Sequence, residues 1–144
     1  MRPGTRIFVE GPWGDFTASR RVKGKTLLIG AGSGIAPIRA LLEELPQGAI
    51  LLYRARSVRE LALREELERL ARLRHAKLWF VVGGRRDPGP RHLFTPQGMK
   101  ELVPDIAERD VYLCGPDGLV ASSLKLLRKL KVPRRQIHLD PFEF

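Results

Sequence analysis

The sequence predicts a doubly wound α/β domain, a parallel sheet covered by helices on both faces. Short apolar runs alternate with amphipathic stretches of helical period, and the connections between them are short. Two strand-to-helix connections are glycine-rich, Gly30-Ala31-Gly32-Ser33-Gly34 and Cys114-Gly115-Pro116-Asp117-Gly118. Repeated strand–helix units with right-handed crossovers make the strands parallel. The 144 residues suit one buried core and are too few for two.

Residues 5–10 alternate like a strand and run into the turn Gly11-Pro12-Trp13-Gly14. This strand is either an edge of the main sheet or the remnant of a preceding β domain. The polar, basic residues 19–25 read as a linker. Buried strands are then expected at 26–29, 49–53, 76–82 and 110–114, helices at 37–44, 59–73, 96–102 and 119–130, and a last strand at 136–139. In the helix at 59–73, Leu63, Leu67, Leu70 and Leu73 form an apolar stripe. Arg64, Glu65, Glu68, Arg69 and Arg72 lie mostly on the wet face. Ser57 is the expected N-cap, and Arg85 to Arg91 read as a flexible loop.

An apolar fraction of 43% is ordinary for a globular chain, and no run approaches the roughly 20 apolar residues of a membrane span. The first residues lack the pattern of a signal peptide. Cys114, the single cysteine, rules out an internal disulfide and any multi-cysteine metal site, which fits a reducing, cytoplasmic compartment. His75, His92 and His138 lack the paired spacing of a zinc helix, so no metal is expected. A formal charge of +10 permits binding to polyanions. The basic residues are scattered, however, without interleaved aromatics or a nucleic-acid-binding signature, and no nucleic-acid partner is expected.

The glycine turn after the first strand is a place to hold a phosphate. Gly30, Gly32 and Gly34 keep side chains off the backbone, and the helix beginning at Pro37 aims free N–H groups and a positive dipole end at an anion. Such turns also occur with no ligand. The turn from Cys114 to Gly118 ends another strand of the same sheet, so the two can face each other across one crevice. After the second strand come Tyr53, Arg54, Arg56 and Ser57, and after the third Gly83, Gly84, Arg85 and Arg86. An acid at the end of the second strand suits the ribose of NAD, whereas arginine accommodates a 2′-phosphate, which tilts the reading toward NADPH. The same arginines could equally be solvated loop charges.

Cys114 has no histidine in its own or an adjacent loop to act as base, which leaves two roles. It is a small buried residue, or a polarizable side chain against a nicotinamide ring. The terminal Pro141-Phe142-Glu143-Phe144 either closes the sheet or stacks on a flat ligand.

Taken in order, Gly11-Pro12-Trp13-Gly14-Asp15-Phe16, Gly32-Ser33-Gly34-Ile35-Ala36-Pro37, Cys114-Gly115-Pro116-Asp117-Gly118 and the Phe142/Phe144 tail closely resemble the carboxyl-terminal half of the ferredoxin:NADP reductase family. Within it the chain is most similar to the dehydrogenase part of bacterial ferric reductase and NADPH oxidase-like flavoproteins. The resemblance implies a Rossmann-like domain at 26–144 that binds NADPH or NADH. It implies that 1–18 are the last strand and exit turn of an FAD-binding barrel absent here, with 19–25 as the link. FAD would be bound mainly by that absent domain of the same parent chain.

By the same resemblance, Gly32, Ser33, Gly34, Ile35, Ala36 and Pro37 lie on the diphosphate side, and Cys114, Gly115 and Pro116 on the nicotinamide side. Arg54, Arg56 and Arg85 or Arg86 lie near the adenosine. Cys114 would help position the ring for hydride transfer, and Phe144 would cover the flavin until nicotinamide displaces it. Ala36 stands where many relatives have threonine, and Asp140 where glutamate is usual. Electrons would pass to iron, a membrane haem or a ferredoxin-type acceptor, and the chain by itself would not turn over. The alternative is a stand-alone nucleotide-binding or regulatory module without redox activity.

Overall fold

The structure, a computed structural model, describes residues 16–140. Its sheet has five parallel strands: β1 (Lys25–Ala31), β2 (Ile50–Ala55), β3 (Lys77–Val82), β4 (Arg109–Cys114) and β5 (Ile137–Leu139). They lie in the order β3-β2-β1-β4-β5. The chain steps outward from β1 to β3, then returns to the other side of β1 for β4 and β5. This reversal sends the connections that leave β1 and β4 away on opposite sides, and the carboxyl ends of such strands are where parallel sheets commonly take ligands.

Five α-helices are described: α1 (Ile35–Glu44), α2 (Arg64–Leu73), α3 (Pro88–Leu93), α4 (Pro96–Leu102) and α5 (Asp117–Lys129). Alternate strand residues feed two cores. Leu28, Leu51, Tyr53 and Tyr112 pack with Ile38, Leu42 and Leu67 of α1 and α2. Leu27, Ile29, Leu52, Val111 and Leu113 pack on the other face with Met99, Leu126 and Leu127 of α4 and α5. A strand buried on both faces has no polar side to alternate with, which is why Leu27–Ile29 and Ile50–Tyr53 read as continuous apolar runs. The doubly wound class follows as expected.

Several element boundaries differ from the sequence expectation. The helix expected at 59–73 is divided into a 3-10 turn, Val58–Glu60, and α2, which begins only at Arg64. Between them the buried Tyr53 hydroxyl donates to the carbonyls of Glu60 and Ala62, at 3.4 and 3.1 Å, and holds that stretch off a helical path. Leu63 takes a left-handed conformation, φ 61°, at the start of α2. Ser57 precedes the 3-10 turn, makes no side-chain cap bond, and does not cap α2. The apolar stripe narrows to match: Leu67 is buried and Leu70 packs beside it, while Leu63 and Leu73 face solvent. The stretch from Arg85 to Arg91, expected as a loop, contains the start of α3, since Pro88 is preorganised for a first helical position. α1 starts at Ile35, ahead of Pro37, because the 3-10 turn Gly32–Gly34 leads straight into it.

The residues read as a linker are bound to the sheet. Phe16 sets its ring edge on Tyr112, with centroids 5.5 Å apart, and Val22 and Lys23 donate their amides to Asp110 at 2.7 and 2.9 Å. The strand expected at 5–10, the turn at Gly11–Gly14, and Phe142 and Phe144 lie outside the described residues.

Candidate functional site

The two glycine-rich turns meet at the carboxyl ends of β1 and β4. Gly30 and Cys114 are register partners on neighbouring strands. A Cβ on Gly34 would lie 2.3 Å from the carbonyl oxygen of Cys114 and 2.8 Å from the amide nitrogen of Gly115, so the turns touch backbone to backbone. Gly34 is therefore needed for turn-to-turn packing. Gly30 is a packing glycine too, since its Cβ would meet Ile38 Cγ1 at 2.9 Å. Gly32 is different: it is exposed, has φ +58°, and has nothing within 4 Å of a Cβ position. Ser33 and Ala36 beside it are exposed as well, whereas Ile35 is buried in the core and offers only backbone.

Helix-end electrostatics separate the two turns. The first turn of α1 holds no acidic residue, while that of α5 begins with the exposed Asp117. A dianion therefore finds an uncompensated positive dipole end at α1 and a carboxylate already in place at α5. Pro116 and Gly118 flank Asp117 on the surface, and Gly115 is half-buried.

Cys114 is fully buried and its Sγ donates to Asp140 Oδ2 at 3.5 Å. Burial, reinforced by the Asp140 charge, pushes the thiol up to about 12. It is neutral at ordinary pH and is no nucleophile. Asp140 follows β5 directly and lies opposite Cys114 because Leu113 and Leu139 are in register. That placement could have been inferred from the sequence once β4 and β5 were paired in parallel.

Beyond β2, Tyr53 is a correction: it is fully buried, its hydroxyl is engaged by two carbonyls, and it has no face for a ligand. Arg54 is half-buried, with Nη1 donating to Ala55 O at 2.7 Å and Val81 O at 3.1 Å, so its guanidinium braces the ends of β2 and β3. Burial draws its pKa below the ordinary value, against the opposing pull of Asp87. Arg56, Arg85 and Arg86 are exposed. The Arg85 Nη2 reaches 3.5 Å from where a Gly118 Cβ would stand, so the loop after β3 extends to the start of α5. Sequence reasoning missed Glu60, whose carboxylate accepts the Arg56 amide at 3.1 Å and adds an acid to a loop read as basic.

Among the described residues no cluster of histidine, cysteine and acids could hold a metal ion, and no helix is long and apolar enough to cross a membrane. A groove of about 420 Å³ between α5 and β5 is lined by none of the turn residues.

Comparison with known proteins gives this geometry a family. One component of the Na(+)-translocating NADH-quinone reductase of Klebsiella pneumoniae is 31% identical over 99% of this chain, which spans 38% of that protein. Ferredoxin–NADP reductase B of Sorangium cellulosum is 28% identical, with 99% of this chain and 64% of the relative covered. The chain thus spans less than two thirds of these curated relatives. Among solved structures, the flavohem-like FAD/NAD binding domain of nitric oxide dioxygenase from Vibrio cholerae superposes with a TM-score of 0.67 at 25% identity, over 94% of this chain and 54% of its own. Residues 28–125, which run from β1 through most of α5 and include both turns, match the family described as the oxidoreductase NAD-binding domain, and the chain belongs to that family.

Proposed function

We propose that this chain binds NAD(P)H across its two carboxyl-end turns and orients the nicotinamide for hydride transfer to FAD held by a separate domain of a longer flavoenzyme. The contact of Gly34 with Cys114 and Gly115 carries the reading, because it sets a phosphate-accepting turn and a ring-accepting turn side by side. The diphosphate lies over Gly32 and Ser33 at the acid-free end of α1, where the absence of side-chain atoms near Gly32 fits a group that must approach backbone. The ring lies beside Gly115 and Pro116, above the neutral Cys114 thiol. Arg56, Arg85 and Arg86 are the cations available to the adenosine end, and Arg54 serves it only as a brace.

When bound, the nicotinamide supplies the hydride and FAD accepts it. The chain contributes orientation and the exclusion of water. Electrons then leave for a one-electron acceptor such as iron, haem or a ferredoxin-type protein. One relative is named for NADH and another for NADP, so the choice between dinucleotides rests on this chain's own loop residues.

The test is a titration of the chain with NADH and with NADPH, followed by amide NMR shifts. Saturable shifts at Gly32–Gly34 and Gly115–Gly118 are expected with at least one nucleotide. The absence of shifts there with both would overturn the reading.

A further inference from the structure

Asp110 is fully buried at the amino end of β4 and accepts three hydrogen bonds. The Val22 amide reaches Oδ2 at 2.7 Å, the Lys23 amide reaches Oδ1 at 2.9 Å, and His138 Nε2 lies 2.8 Å from Oδ2. An ionised carboxylate can only accept, so His138 donates through Nε2. The His138 ring stacks on Tyr112, with centroids 4.4 Å apart and planes 22° apart. Tyr112 in turn donates its hydroxyl to Thr17 O at 2.7 Å and receives the Phe16 ring edge. Burial, reinforced by the Asp110 charge, pushes that hydroxyl up to about 12, so it stays a donor.

Two side chains of β4, Asp110 and Tyr112, therefore grip the segment 16–23 at both its ends, and His138 of the neighbouring strand braces both of them. Arg21 stiffens the middle, donating through Nη1 to Ala18 O at 3.1 Å and through Nε to Lys23 O at 3.2 Å. A segment that only had to bridge two bodies would need none of this. Burying a carboxylate is costly unless its lone pairs are met, and here three donors placed by two separate segments meet them only in one geometry.

We propose that Asp110, seconded by Tyr112 and His138, is a positioning residue that makes 16–23 a rigid mount, fixing the position and direction of the chain at residue 16 relative to the sheet. The inference rests on the reading that an FAD-bearing domain works with this chain. β4 gives the link, since Asp110 at one end and Cys114 at the other belong to the same strand, about 13 Å apart. Moving the mount displaces the flavin relative to the nicotinamide without touching either nucleotide turn.

Two measurements test this. In the 144-residue chain, D110A should speed hydrogen exchange of the Val22 and Lys23 amides at least ~10-fold while Leu28 and Leu113 keep their protection. D110N, which keeps the volume and one acceptor, should give a smaller effect of the same sign, and it serves alone if D110A does not fold. Unchanged Val22 and Lys23 exchange would overturn the anchor.

In the flavoenzyme that joins this chain to its FAD domain, D110N should slow flavin reduction at saturating NAD(P)H about 10-fold and leave the nucleotide Kd within about twofold. Y112F should follow with a smaller loss. A full reduction rate despite freed amides, or a rate and affinity that fall together, would equally overturn the positioning role. Failure of the wild-type chain to bind either nucleotide would count against the proposed function, and the exchange measurement would still decide the anchor.

Discussion

The amino and carboxyl rims of the sheet are finished in opposite ways. At the amino rim, Arg109 is buried and donates to Thr26 O at 2.8 Å and to Asp105 at 2.8 Å, while Gln136 Nε2 reaches Ala107 O and Arg109 O at 3.0 Å each. Asp110 joins them with its three donors. At the carboxyl rim, Gly32, Ser33, Ala36, Arg56, Arg85, Arg86 and Asp117 stand in solvent, and Arg54 alone of the arginines there is tied down. The side chains named at the amino rim are spent on the fold, whereas the exposed ones named at the carboxyl rim remain available beside the engaged Arg54, Glu60 and Asp140. The difference teaches that stability and recognition are separated along the strand direction, with Gly30 and Gly34 as the exceptions that belong to the stable end in kind though not in place.

The glycines give the sharpest way to break this contrast. Gly34→Ala drives a methyl into backbone that cannot swing aside and should destabilise the chain by about 3 kcal/mol, read from urea unfolding. Gly32→Ala, with open space around it, should cost only about 1 kcal/mol for its left-handed φ and should instead weaken nucleotide binding. Equal destabilisation by the two would mean that the rims are not distinct.

The arginines come next. Arg56→Ala should weaken NADPH about 10-fold more than NADH in a calorimetric titration, because an exposed guanidinium is free to fork onto a 2′-phosphate. Arg54→Met should lower stability and leave the preference between the two unchanged. The reverse pattern would put recognition into the braced residue and undo the assignment.

The smallest effect concerns acid. The hydrogen bond from Arg109 holds the Asp105 carboxyl below its ordinary value of 3.8. The unfolded chain then binds the proton first, so the pair stabilises the fold above pH 3.8 and loses that contribution as pH falls through the lower folded value. Asp105 is partly solvated, so the effect should stay under about 1 kcal/mol. Arg109→Met should flatten the decline in unfolding free energy between about pH 5 and 2, and an unchanged slope would remove Asp105 from the amino-rim network.

Much of the fold could be read because it is written in local periodicity. The apolar runs of β1 and β2, the strand–helix alternation and the placement of both turns on one edge needed no partner residue to be known. What could not be read depended on contacts remote in sequence. Tyr53 reads as a loop-facing residue, yet its hydroxyl holds Ala62 and delays the helix expected from 59 until Arg64. Arg54 and Arg56 are alike in sequence, and only the proximity of Val81 O separates brace from free cation. The polar run 19–25 reads as a linker because its partner, Asp110, lies 87 and 88 residues away from Lys23 and Val22.

The backbone contact between Gly34 and the Cys114–Gly115 peptide has a kinetic consequence. If the proposed site is right, turns packed this closely present a dinucleotide with a floor already set before it arrives, and capture should need no slow loop rearrangement. Arrival rates for rival nucleotides should then be much alike, and discrimination between them falls to residence time.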